Sequence, residues 1–166
     1  MKRLNYENGE LDLIDETILR ALVANARTTN AELARAVNLS APSVAERVRR
    51  LEEAGVITGY SANISPEAIG LPISVWLRVR PVPGQLKQVA ELLQDIPEIT
   101  ECNRVTGEDC FLARAHLASV ADMERVIDLI IPYAMTNTSI IQSSPVKRRL
   151  PPLPAVRTQR RSTYFE

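Results

Sequence analysis

Ser40-Ala41-Pro42-Ser43-Val44-Ala45-Glu46-Arg47-Val48-Arg49-Arg50-Leu51-Glu52-Glu53-Ala54-Gly55 is a helix written with both of its ends. Ser40 can accept from a first-turn amide, Pro42 is tolerated where amides have no intrahelical partner, and Gly55 is a natural stop. At about 100° per residue, Val44, Val48 and Leu51 fall on one apolar stripe. The opposite arc collects Pro42, Ser43, Glu46, Arg49, Arg50 and Glu53, with Arg47 at the stripe's boundary. One side of this helix is made to be buried and the other to meet something charged.

Upstream, two more helices read out of the spacing. Leu11, Ile14, Ile18, Ala21 and Leu22 recur at helical intervals behind Asp12, Asp15 and Glu16, acids placed where a helix N-terminus attracts them. Thr29-Asn30-Ala31-Glu32 has the form of a capping box and opens a helix of about two turns through Leu33, Ala34 and Val37. A helix followed by two more across a short turn is the layout of a helix-turn-helix unit, whose last helix enters a DNA groove.

Beyond Gly55 the periodicity changes. Val56 to Ala62 is β-prone, and Ser65 to Gly70 reads as a turn or single helical turn. Ile73, Val75, Leu77 and Val79 then alternate with Ser74, Trp76, Arg78 and Arg80, the period-two signature of a strand with two unlike faces. Leu86 to Leu93 is helical, and Ile99–Val105 and Cys110–Leu117 form strands around the turn Thr106-Gly107-Glu108-Asp109. Ser119 caps another helix that Pro132 ends, and Thr136–Ile141 is a last β-branched strand. Strand, helix, strand, strand, helix, strand is a ferredoxin-like unit with one sheet face left bare. Trp76 points to that face, so a second copy of the chain is expected to cover it. The fold class is α+β, divided as a helix-turn-helix domain (1–55), a β-strand linker (56–70), a ferredoxin-like βαββαβ domain (71–143) and a basic, Pro-containing tail (144–166).

Composition bounds the function. With 166 residues, 45% of them apolar, the chain can bury real cores. No apolar run approaches the roughly 18 residues of a membrane span, and the start lacks a secretory signal, so a cytoplasmic protein without membrane attachment is expected. Two cysteines and one histidine, His116, are too few for a metal site or a disulfide framework, and no cofactor is implied. Cys102 and Cys110 are expected to be small buried residues that do not face each other, and His116 a satisfied structural one. The zero net charge is uneven: 6 basic and 10 acidic side chains over 61–143 against 6 and 1 over 144–166. Nucleic-acid binding must then come from a local cationic surface and not from the global field.

The residues Leu11-Asp12-Leu13-Ile14-Asp15, Asn25-Ala26-Arg27-Thr28, Glu32-Leu33-Ala34, Leu39-Ser40 and Arg47-Val48-Arg49-Arg50-Leu51-Glu52-Glu53-Ala54-Gly55-Val56-Ile57-Thr58-Gly59-Tyr60 resemble the Lrp/AsnC (feast/famine) transcription regulators. The resemblance covers about residues 10–143, including Thr106-Gly107-Glu108-Asp109 and Thr136-Asn137-Thr138-Ser139-Ile140. It implies a sequence-specific regulator binding double-stranded DNA, modulated by an amino acid or related small molecule. It further implies a homodimer joined through the linker strand and the sheet face, and assembly to octamers. Many relatives carry an aspartate three residues after the loop glycine; here that position is Cys110, and the acid, Asp109, comes one place earlier.

The candidate DNA-contacting residues are Asn30, Glu32, Ser40, Ser43, Arg47, Arg49 and Arg50, with Arg47 and Arg50 favoured by the family pattern and Ser43 as a phosphate holder. Against this stands an ordinary alternative, in which the arginines pair with Glu46, Glu52 and Glu53 on a solvated face. The candidate effector residues are Thr106, Gly107, Glu108, Asp109, Thr136, Thr138 and Ser139, whose amides and hydroxyls suit a zwitterion but also suit a plain turn and strand start. No catalytic residue is assigned. An enzyme of the same layout, resembling the sirohaem decarboxylases, is the competing reading, opposed by the single histidine. An amino-acid-sensing partner of some enzyme is a third.

Overall fold

A computed structural model describes residues 11–146 and 149–152, and they divide into two compact units, one holding the residues up to Ala62 together with 149–152 and the other running from Asn63 to Val146. Most of the basic tail expected at 144–166 lies outside the described residues.

Among the described residues the first unit is three helices: α1 (Leu13–Ala24), α2 (Asn30–Val37) and α3 (Ala41–Glu53). Each begins on a side chain able to accept a hydrogen bond. The Asp15 amide donates to Asp12 Oδ1 at 2.7 Å while Asp15 Oδ2 accepts from the Asp12 amide at 3.3 Å, a reciprocal box built from two aspartates. Thr29 and Glu32 make the second box, and Ser40 Oγ accepts from the Ser43 amide at 3.2 Å. The turn between α2 and α3 passes through Asn38 at φ 53°, a left-handed position that asparagine tolerates better than most residues. Ile18, Leu19, Leu33, Ala34, Val44 and Leu51 form the core, with Val48 and Ile57 packed against it. This is the stripe the spacing predicted for α3.

Val56–Ala62 forms no ladder; instead the amides of Val56 and Ile57 both donate to the Leu51 carbonyl, at 2.9 and 3.0 Å, folding the chain against the end of α3. A β-prone segment becomes a strand only beside a partner, and no described segment of the chain aligns with this one.

The second unit contains a single 3-10 turn at Glu67–Ile69, then β1 (Ile73–Pro81), α4 (Leu86–Asp95), β2 (Ile99–Arg104), β3 (Phe111–Leu117), α5 (Val120–Ile130) and β4 (Ala134–Ile140). The sheet order is β2-β3-β1-β4, with each neighbouring pair antiparallel. Val75, Leu77 and Val79 lie opposite Ala115, Ala113 and Phe111 and bury one face under Val89 and Leu93 of α4 and Val126 and Ile130 of α5. Trp76, opposite Arg114, points the other way, and the Arg114 guanidinium carbon stands 5.9 Å from its ring centroid. The last strand begins at Ala134, earlier than Thr136, with Ala134 paired to Pro81 of β1 and buried in the core.

Cys102 corrects the sequence reading. It lies opposite Ala113 and away from Cys110, as expected, but it is exposed, because β2 is an edge strand with little above it. His116 is buried, and its Nδ1 lies 2.8 Å from Ser74 Oγ. Burial, helped by the nearby Arg114 charge, pushes the imidazole pKa below its ordinary value. The unfolded chain therefore takes up this proton first as pH falls, so stability present above about pH 6.5 is lost on acidification towards the folded-state value. Urea unfolding followed from about pH 7.5 down to about pH 5 should show that loss, and His116→Asn should flatten it. An equal slope in both proteins would assign the effect elsewhere.

Candidate DNA interface and effector pocket

The arc of α3 predicted to face outward does so. Ser40, Ser43, Glu46, Arg49, Arg50 and Glu53 are all exposed, as is Asn30 at the first turn of α2. Ser40 Oγ and Ser43 Oγ sit 2.7 Å apart at the start of α3, where amides without intrahelical partners and the helix dipole both favour an anion.

The three arginines are not equivalent. Arg49 is bracketed on its own helix: its Nε and Nη2 donate to Glu46 at 2.9 and 2.6 Å, and Nη1 pairs with Glu53. These carboxylates raise the arginine's pKa, and Arg49 in turn holds Glu46 below the usual carboxylate range. Such exposed pairs are weakened by solvent and salt, so a phosphate can exchange with them. Arg47 leaves its own helix. Its Nη1 donates to Asp12 Oδ2 at 2.7 Å and to Asp15 Oδ1 at 2.9 Å, tying α3 to the N-terminus of α1. Burial pushes the Asp12 carboxyl up, but the Asp15 amide and the Arg47 guanidinium outweigh it and leave the group below its ordinary value. Arg50 is exposed in the last turn of α3.

Glu32 also holds a structural post. Its Oε2 accepts from the Thr29 amide at 2.7 Å and from Thr29 Oγ1 at 2.8 Å, which lowers its pKa. Sequence reasoning did not find the Tyr60 hydroxyl, which donates to Glu52 Oε1 at 2.8 Å; burial and the glutamate together raise the phenol to about 12.

The second candidate site lies at one end of the sheet. The turn Thr106–Asp109 closes with the Val105 amide donating to the Cys110 carbonyl at 2.9 Å, and Gly107 adopts φ 114°, where a Cβ would be strained. The Cys110 amide donates to the Val79 carbonyl at 3.1 Å, which fastens the hairpin to the end of β1. Arg80 reaches over it, with Nη2 2.6 Å from Glu108 and Nε 3.9 Å from Asp109. The other flank of that same end of β1 is the start of β4, with Val79 opposite Thr136 and Arg80 opposite Met135. Thr106, Gly107, Glu108, Asp109 and Thr136 thus gather around the end of β1.

Thr138 and Ser139 are drawn apart. Thr138 lies opposite Leu77 on the helix-covered face, where its Oγ1 is buried without a hydrogen-bond partner, whereas Ser139 lies opposite Trp76 on the open face. Ser139, Trp76 and Arg114 line an open cleft of about 560 Å³ there. Arg80 is the residue missed; its signal was its place on the polar side of the β1 alternation, beside an acidic turn.

A family model described as winged helix-turn-helix DNA-binding matches residues 11–58, and one described as the Lrp/AsnC ligand binding domain matches residues 74–151. The chain is 38% identical over 132 residues to the HTH-type transcriptional regulator LrpA of Mycobacterium tuberculosis, covering 79% of this chain and 88% of that one. The structure of Bacillus subtilis LrpC superimposes with a TM-score of 0.80 at 32% identity, covering 84% of this chain and 99% of that one. A feast or famine regulatory protein from M. tuberculosis, solved in complex with L-methionine, gives 0.78 at 36% identity, covering 84% and 97%. The chain belongs to the Lrp/AsnC family of DNA-binding transcription regulators.

Proposed function

We propose that α3 reads the major groove, with Ser40, Ser43 and the first-turn amides on phosphate, Arg49 and Arg50 on phosphate or guanine edges, and Asn30 at the flank. The observation that carries this is the solvent-facing arc of α3, with two hydroxyls at its positive end and arginines further along. Glu32, as a cap, contributes by fixing the start of α2 and not by touching DNA. The bare sheet face around Trp76 and the unpaired linker at 56–62 are the surfaces for a homodimer, and dimers assemble further to an octamer. The protein acts in the cytoplasm by binding and not by catalysis, in keeping with relatives named as regulators. The purified chain should recover a reproducible set of genomic fragments; recovery no better than that of an unrelated protein would remove the assignment of α3.

The effector is an amino acid held at the hairpin end of the sheet by the turn amides, Thr136 and Arg80, a reading supported by the methionine-bound relative. Because Asp109 leans to Arg80 and Cys110 stands where many relatives have an acid, the ligand's ammonium must be met differently here. A ligand between dimers would bias assembly and so half-site spacing. Thermal melts against a panel of amino acids test this: at about 100 times its dissociation constant the effector adds about 2.7 kcal/mol. Gly107→Ala should abolish the shift, because a methyl group at that φ distorts the turn. A panel without any shift would leave the pocket empty of amino acids.

A further inference from the structure

Arg47 divides its two partners' oxygens in an orderly way. Asp12 gives Oδ1 to the Asp15 amide and Oδ2 to Arg47; Asp15 gives Oδ2 to the Asp12 amide and Oδ1 to Arg47. Every carboxylate oxygen of the α1 cap therefore has a defined donor, and a single guanidinium nitrogen closes the set. The pair is also shielded: the Asp15 side chain is 4% exposed and that of Arg47 27%, so salt screens it less than the surface pairs of Arg49.

Directionality makes this contact matter. The apolar stripe of α3 consists of Val44, Val48 and Leu51, and such burial is indifferent to modest rolling of the helix about its axis. A hydrogen-bonded ion pair is not. Arg47 stands about 60° around the helix from Arg50, so any roll that broke the clamp would swing the outward arc by a comparable amount.

We infer that Arg47 is a positioning residue, which sets the roll of α3 through Asp12 and Asp15 and leaves DNA contact to the outer arc. This rests on α3 being the reading helix. The family pattern at Arg47 is then satisfied by a guanidinium facing inward, and the loss on removing it is a loss of discrimination and not of phosphate neutralisation.

The test compares two duplexes of equal length, one selected by the wild-type chain from a random library and one of random sequence, across a series of KCl concentrations. Full-length Arg47→Gln, Asp12→Asn, Arg49→Ala and Arg50→Ala are measured below their melting temperatures. Asp12 is the milder site, with a half-exposed side chain, and keeps the test open should Arg47→Gln fold poorly. Arg47→Gln and Asp12→Asn should each lower the selected-to-random affinity ratio by about tenfold, the size of one misplaced base contact. Both should leave the slope of log K against log [KCl] on the random duplex unchanged. Arg50→Ala should reduce that slope by about one where its guanidinium meets phosphate, or lower the ratio where it meets a base edge.

Three results overturn the inference: a slope reduced by about one in Arg47→Gln, tighter binding by Asp12→Asn as a released Arg47 reaches phosphate, or an unchanged ratio with only a lower melting temperature. Failure of Arg50→Ala to alter slope or ratio would instead exclude Arg50 from the interface, and the same failure in Arg49→Ala would remove α3 as reader, and the clamp's role with it.

Discussion

Arg50→Ala weakens binding to a selected duplex by about ten- to a hundredfold, about 1–3 kcal/mol, with little change in the melting temperature of the protein. The argument starts from helix geometry. At about 100° per residue, Arg50 falls within about 20° of Ser43 and about 100° around from Leu51, so the helix's cationic end and its hydroxyl-capped start share one stripe outside the buried one. Ser43 and Arg50 are both exposed, while Leu51, the next residue in the chain, is fully buried. An alanine at 50 keeps the helix, since alanine is its best former, and removes one cationic fork. If the guanidinium meets a base edge, the selected duplex suffers more than a random one; if it meets phosphate, both suffer alike and the salt slope falls. Filter-binding or anisotropy titrations at several salt concentrations separate the two, and unchanged affinity in both would exclude Arg50 from the interface.

The parts of this chain that were legible are those governed by short-range chemistry. The Thr29–Glu32 box and the Ser40 cap are i to i+3 events, visible in any window that contains them. The strand–helix order of the second unit follows from a switch between periods of two and 3.6, and it survives in the sheet as β2-β3-β1-β4. The exposure of Cys102 is not legible locally, because whether a strand lies at an edge depends on sheet order, which alternation does not contain. The linker's missing ladder has the same origin, since pairing depends on what else is present. The clamp of Arg47 lies beyond local reading for a different reason: its partners are 32 and 35 positions away, and all three residues look like ordinary surface charges. Alternation did contain the division between Thr138 and Ser139, because neighbours in a strand cannot share a face.

Leu51→Ala should destabilise the first unit by about 2–5 kcal/mol, the range for emptying a fully buried leucine site. Leu51 is 0% exposed and belongs to one core with Ile18, Leu19, Leu33 and Val44, so truncation opens a void in a core that all three helices share. Its carbonyl also receives the amides of Val56 and Ile57, so the backbone around it is held from both sides and cannot easily collapse into the space. A unit of this size buries a smaller fraction of its surface than a large domain does, and its whole stability is of the same order as the loss. For a domain of 60–100 residues each 1 kcal/mol moves the melting temperature by roughly 4–8 °C, so about 3 kcal/mol predicts a fall on the order of 15 °C. Val48→Ala, at a half-buried position on the same stripe, should lose less. Helical circular dichroism of the full chain, followed against urea, reads both. DNA binding distinguishes this failure from that of Arg50→Ala, because Leu51→Ala should regain wild-type affinity on cooling to where α3 is formed, whereas no temperature restores a missing guanidinium. A loss below about 1 kcal/mol would mean that α3 is held by something other than its buried stripe, and the Arg47 clamp would then carry more of the helix than its shielded ion pair implies.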